Sequence, residues 1–266
     1  MPSNPLTFPA LDNGMIAQLP VKLRIDRITR TTTFPDGTRL ASPIDARLFY
    51  SWTLRFDNLS DDELNRVRDF IFSTQNGADS FIFPDPTGNL LADSANLESG
   101  IWLAPPGLTV DPFSDPSQPD AFILTNSTPA PLALTQTVSL SGPFATCFSV
   151  RARWDGGFPF SLGLTDGAAS RTQPAVAGAW ARHSVALFSM GAPETRTVSI
   201  IVPATTQIIV AEPQLEIAAA PGGYLKTGVE GSIFSPAWLA QSSFDESTNA
   251  PGAHSITLRI ESFRNL

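Results

Sequence analysis

The sequence predicts a mainly β protein in which one small domain, carrying a single capped helix, is interrupted by an inserted β-sandwich. Three observations lead there. Over 266 residues, hydrophobic side chains make up 42% and charged ones 16%, enough apolar material for two cores. Short alternating runs, punctuated by 24 Pro and 18 Gly without a period, fit strands joined by turns. Finally, the last segment returns to the residue style of the first, so the middle is an insertion.

The clearest strand runs from Ala46 to Phe56. Leu48, Tyr50, Trp52, Leu54 and Phe56 share one face, and Arg47, Ser51, Thr53 and Arg55 the other, the period of a half-buried strand. An earlier strand spans about 21–31, where Val21, Leu23 and Ile25 alternate. Its phase slips at Arg27 and Ile28, which predicts a bulge. Between the two, Phe34-Pro-Asp-Gly37 reads as a hairpin turn.

The one convincing helix follows. Ser60-Asp-Asp-Glu63 is a capping box, with Asp61 and Asp62 at the positive helix end. Leu64, Val67, Phe70 and Ile71 form the apolar stripe, and Asn76-Gly77 is the expected stop. A short strand, Ser80–Phe83, ends at Pro84-Asp-Pro-Thr-Gly88.

Beyond Gly88 basic residues vanish until Arg151. Candidate strands recur at 121–125, 132–140, 146–153, 159–164, 182–188, 197–202 and 207–217, without a helix, which argues for a sandwich. The tail then alternates Ile256, Leu258 and Ile260 with polar residues. It is too short to bury a core alone and should pair with the N-terminal sheet. The expected organisation is 1–88 and 229–266 as the two parts of one domain, with 89–228 inserted at an exposed turn.

The formal charge of −8, with no basic stripe, argues against nucleic acid as a partner. No run approaches the ~18 apolar residues of a membrane helix, so no membrane insertion is expected. The N-terminus lacks the pattern of a secretory signal. Cys147, the single cysteine, sits in an apolar strand and reads as a buried, inert thiol.

A search for catalytic chemistry finds none. His183 and His254 have no metal-ligand spacing, and no zinc, P-loop, dinucleotide or nucleophile-elbow motif is present. Glu212 and Glu216 on one strand would lie ~13 Å apart at about 3.3 Å per residue, beyond glycosidase separations, and read as solvent-facing or calcium-binding. Pro213 beside them suggests an edge or a bulge. Among the tryptophans, Trp52, Trp102 and Trp180 read as core. Trp154 differs: it opens Trp154-Asp-Gly-Gly-Phe158, a loop whose glycines would expose it, which makes Trp154, Asp155 and Phe158 the candidate glycan contacts.

With these residues in view, two blocks carry a resemblance. Trp52 through Ser60, Asp61-Asp-Glu-Leu64, Phe70-Ile-Phe72 and Phe81-Ile-Phe-Pro-Asp-Pro86 resemble the distal-tail or minor-tail proteins of tailed bacteriophages. In that family Phe34–Gly37 and His254–Ile260 occupy the hairpin and last-strand places. Asn89-Leu-Leu-Ala-Asp-Ser94, Gly100-Ile-Trp102, Phe148–Ala152, Trp180–His183, Glu212-Pro-Gln-Leu-Glu216 and Gly223-Tyr-Leu-Lys-Thr227 resemble the carbohydrate-binding-module-like jelly-rolls of phage tail proteins. The resemblance implies a non-enzymatic ring subunit, typically a hexamer, at the distal end of the tail tube. It would contact tube and tip or hub proteins, and its outward module would face host surface glycans. Assembly in the host cytoplasm and residence at the virion tail tip follow. The resemblance implies no cofactor, while jelly-rolls of this type often hold one structural calcium. A stand-alone carbohydrate-binding adhesin is the alternative.

Overall fold

The computed structural model describes residues 6–153, 160–175, 178–189, 191, 193–240 and 244–265, with backbone alone at 43–46 and 76. The chain forms two compact units. One comprises Met1–Pro9, Ala17–Phe83 and Phe234–Leu266; the other comprises Ala10–Ile16 and Pro84–Ile233.

The first unit opens with β1 (Lys22–Thr33) and β2 (Arg39–Leu59), an antiparallel ribbon. The phase slip is a register shift between Arg27 and Thr29. The turn closes as the residues require. Phe34 N donates to Thr38 O, the Asp36 carboxylate accepts from Thr38 N, and Gly37 takes a φ of +83°. That left-handed conformation suits glycine, which has no Cβ to clash.

Helix α1 (Asp61–Ser73) carries the expected box in both directions: Glu63 N donates to Ser60 Oγ at 3.2 Å, and Ser60 N to Glu63 Oε2 at 3.1 Å. It ends at Thr74, one turn before the expected stop. Thr74 N still donates to Phe70 O, and a 3-10 turn, Gln75–Gly77, carries the chain on. Strand β3 (Phe81–Pro84) completes this first part.

Among the described residues the second unit holds nine strands: β4 (Leu108–Phe113), β5 (Ala121–Asn126), β6 (Leu132–Ser139), β7 (Ala145–Arg153), β8 (Phe160–Thr165), β9 (Ser170–Ala175), β10 (Ala181–Phe188), β11 (Thr195–Val202) and β12 (Gln207–Glu216). They form two antiparallel sheets, ordered β10-β7-β12-β5-β4 and β6-β11-β8-β9. Setting aside the edge strand β4 and counting β5–β12 as one to eight, the orders are 6-3-8-1 and 2-7-4-5. Those are the two interlocked Greek keys of a jelly roll. Alternation sends Phe148, Val150, Ala152, Leu124, Phe122 and Val210 inward from one sheet and Leu162, Leu164, Val198 and Ile200 from the other, all buried.

Strands β13 (Ile233–Leu239), β14 (Glu246–Ala250) and β15 (Ala253–Asn265) return the chain to the first sheet, whose order is β1-β2-β15-β13-β3, with β14 also on β15. The expected pairing of the tail is therefore present: Leu258 lies opposite Leu54 and Ile260 opposite Trp52. This unit's core is aromatic. Trp52 packs against Phe83 and Phe234 at ring separations of 5.0 and 4.6 Å, and Phe8 against Phe70 at 5.0 Å. Each such pair adds about 0.5–1.5 kcal/mol to the burial of its rings.

Within the second unit, entry and exit run side by side. Asp85 N donates to Ser232 O, and Ser232 N to Asn89 O, each at 2.8 Å. Asn89 is fully buried and completely satisfied. Its Nδ2 donates to Pro213 O and Leu225 O, and its Oδ1 accepts from Leu91 N and Leu215 N, all at 3.0–3.1 Å. Ser94 and Thr227 exchange two further bonds, Thr227 N to Ser94 Oγ at 2.9 Å and Ser94 N to Thr227 Oγ1 at 3.2 Å. Asn89–Ser94, Pro213–Leu215 and Leu225–Thr227, part of what carried the jelly-roll resemblance, are thus the clasp that shuts the sandwich.

Candidate functional site

The outer face of the five-stranded sheet is where polar and aromatic groups converge. Cross-strand register places Phe113, Ala121, Ala211, Arg151 and Arg182 in one row over all five strands. A neighbouring row contains Asp111, Ile123, Ile209 and Arg153. Period-two alternation in β7 puts Ser149, Arg151 and Arg153 outward because Phe148, Val150 and Ala152 take the core side.

Trp180, just before β10, packs with Phe113 and Ile123 on a floor made by Ala121, Ile209 and Ala211. Its indole N–H donates to Asp115 Oδ2 at 2.9 Å. Bonds from the Ser117 hydroxyl, from Trp180 and from the Ser117 amide hold the Asp115 carboxyl below its ordinary range. Arg153 spans this corner, its guanidinium 5.6 Å from the Phe113 ring centre and 3.7 Å from Asp115.

Toward the other end stands Glu212. It sits on the bulge that shifts the β12–β7 register between Ala211 and Gln214, with φ +53°. The bulge that Pro213 suggested is real, but β12 is a central strand. Glu212 Oε1 accepts from Gln118 Nε2 at 2.7 Å and lies 3.9 Å from Arg151; Oε2 lies 3.7 Å from Arg182. Gln118, buried, in turn accepts from Arg151 Nη1 at 2.9 Å. Arg182 Nη1 donates to Glu212 O at 3.1 Å and to Ser149 Oγ at 3.4 Å. Burial pulls the Arg182 pKa down, and the nearby Glu212 and Glu216 oppose that. Tyr224 closes this end: its hydroxyl meets Ser94 Oγ at 2.9 Å, and burial raises its pKa.

The three expected glycan contacts, Trp154, Asp155 and Phe158, all lie outside the described residues. Trp52 and Trp102 are core, as read. Trp180 is not core: it is half-buried on the outside of the sandwich, because its strand edge presents it to the alanine floor rather than between the sheets. Glu212 is not simply solvent-facing but an ion-paired group of this face. Glu216 accepts from Gly222 N at 3.0 Å. His183 points inward with its ring edge on Phe160, and burial lowers its pKa. Cys147 is buried as expected, its thiol pushed up to about 11 by burial and by Glu216. Among the described residues no group of three or more His, Cys, Asp or Glu could hold a metal.

No family model and no curated protein matches the chain. Several solved structures resemble it. The C-terminal family 22 carbohydrate-binding module of Clostridium thermocellum Xyn10B is 17% identical over 53% of this chain and 99% of its own, with TM-score 0.41. TmCBM61, solved in complex with β-1,4-galactotriose, is 16% identical over 49% and 99%, with TM-score 0.38. The enzymatically active domain of bacteriophage CBA120 tailspike protein 4 is 13% identical over 51% of this chain and 22% of its own, with TM-score 0.39.

Proposed function

We propose that the jelly-roll unit is a non-catalytic glycan-binding module and that the Trp180–Arg182 row is its saccharide face. One observation carries this reading: a half-buried indole, fixed by Asp115, shares the outward face of one sheet with two cross-strand guanidiniums and a held carboxylate. An indole face stacks on the C–H face of a pyranose, while charged groups at fixed positions orient its hydroxyls. The experiment is a glycan array followed by calorimetry on the full chain. A bound saccharide should be lost by at least tenfold in Trp180→Ala with the thermal midpoint preserved. Unchanged binding by that variant would remove this face as the site, and retention of no saccharide at all would end the reading.

A second reading concerns the first unit, and its ribbon favours it. All of β1 is exposed, as are Leu23, Ile25, Ile28, Phe34 and Leu40, with Ile25 at 52% and Leu40 at 58%. Residues 22–39 hold five cations against two carboxylates in a chain of charge −8. A long, apolar, basic edge strand invites pairing with another strand, and the acidic remainder of a second copy is its complement. In this reading copies join head to tail into a closed ring, the hexamer of a phage tail tip, seated on tube and tip proteins at the virion's distal end with the glycan module carried on it. Mass photometry should find closed rings in the parent chain and monomers in Ile25→Lys/Ile28→Lys. Monomers of the parent at every concentration would sink the ring.

A further inference from the structure

Resting on the reading of the sandwich as a glycan-binding module, we infer that the saccharide it takes is anionic, held by the guanidinium pair Arg151 and Arg182. Residues 84–233 are acidic overall, with six Lys or Arg against twelve Asp or Glu, yet three of the six cations lie on this one face. Arg151 and Arg182 are direct cross-strand partners. Like charges directly opposite each other destabilise a sheet, so the fold itself gains nothing from this pairing. The ion pair of Lys226 with Asp120 in the same unit is closer, at 2.9 Å.

The compensation within the row is incomplete. Among the described residues, the one carboxylate within 4 Å of both arginines is Glu212, at 3.9 and 3.7 Å. Those separations exceed the 2.7–2.9 Å or so of a charge-assisted hydrogen bond. Glu212 is instead tied to Gln118 at 2.7 Å. Among the described residues, Arg182 Nη2 makes no hydrogen bond although it is buried from water. The Arg151 and Arg182 side chains as a whole retain 37% and 20% exposure, with Trp180 two residues before Arg182 and the Tyr224 ring beside its guanidinium. A planar carboxylate or a sulfate on the sugar meets a guanidinium fork with paired hydrogen bonds, which a neutral hydroxyl cannot do. The ligand class is therefore a sugar acid or a sulfated sugar, placed with its ring toward Trp180 and its anion over Arg182.

The test measures binding of the full chain to polygalacturonate, to the same polymer methyl-esterified, to dextran sulfate and to dextran, by affinity electrophoresis and calorimetry. At least one acidic polymer should bind tenfold or more tightly than its neutral counterpart, weaken as salt rises, and lose tenfold in Arg182→Gln. Preference for polygalacturonate identifies a carboxylate ligand, and preference for dextran sulfate a sulfate. Arg151→Gln, at a more exposed position, gives the same readout if Arg182→Gln fails to fold. Equal binding to neutral and acidic polymers, or acidic binding indifferent to both substitutions, overturns the anionic class while leaving a glycan module in place. Binding to no saccharide on any array overturns both.

Discussion

The jelly-roll unit uses polar side chains in two opposite ways. At the clasp, Asn89 is fully buried and each of its four hydrogen-bonding positions has a backbone partner at 3.0–3.1 Å. On the outer row, arginines stand 3.7–3.9 Å from their carboxylates and remain partly exposed. Saturated groups hold a fold together, because removing one strands its partners in a dry interior. Loosely paired, half-exposed charges contribute little to stability and stay available to a ligand. The two regions differ in what they can still accept.

That difference has its largest measurable consequence in Asn89→Asp. The substitution keeps the shape but turns two donated bonds into oxygen facing oxygen at Pro213 and Leu225. Each buried unmet group costs about 1–3 kcal/mol, so we expect a loss of about 3–5 kcal/mol of unfolding free energy in urea titrations. Arg151→Gln should cost less, about 1 kcal/mol in the same measurement, since it removes one hydrogen bond to buried Gln118 from a side chain that still reaches water. Comparable losses from both would dissolve the distinction between clasp and row.

The legibility of the molecule in its sequence follows the same division. Local signals were readable: the Ser60–Glu63 box, the Phe34–Gly37 turn, the slip at Arg27 and the alternation of β2 each need only neighbouring residues. Strands β9, Ser-Arg-Thr-Gln-Pro-Ala, and β14, Glu-Ser-Thr-Asn-Ala, escaped because nearly all their residues are exposed, leaving no buried face to write a period. Strands β4 and β13 escaped because Pro112 and Pro236 interrupt them. The inclusion of Ala10–Ile16 in the jelly-roll unit had no local sign either. It depends on Gly14 O accepting from Ala145 N at 2.9 Å, and on Gly14 itself, since a Cβ there would fall 2.7 Å from that nitrogen. The candidate site was the least legible part. Residues 113, 121, 151, 182 and 211 share a row only through register, and register is set by the whole sandwich. A hint was present in Arg151-Ala-Arg153, two outward cations in an acidic unit.

The smallest effect sharpens the comparison most locally. Asp115 joins the row through hydrogen bonds rather than burial, with Ser117 and Trp180 as donors. Its folded pKa is depressed, so its contribution is present above the ordinary carboxylate range and is lost as pH falls through the lowered folded value. Between neutral pH and that range, the Trp180 anchor should not change. An NMR titration of the side-chain carboxyl should place Asp115 below ordinary aspartates. In Trp180→Phe, which keeps the ring and deletes the N–H, the pKa should move upward but stay depressed, because both Ser117 bonds remain. A full return to the ordinary value would mean that the indole alone positions Asp115. No movement would mean that the loop is built independently of Trp180, and that the aromatic platform is held by the alanine floor alone.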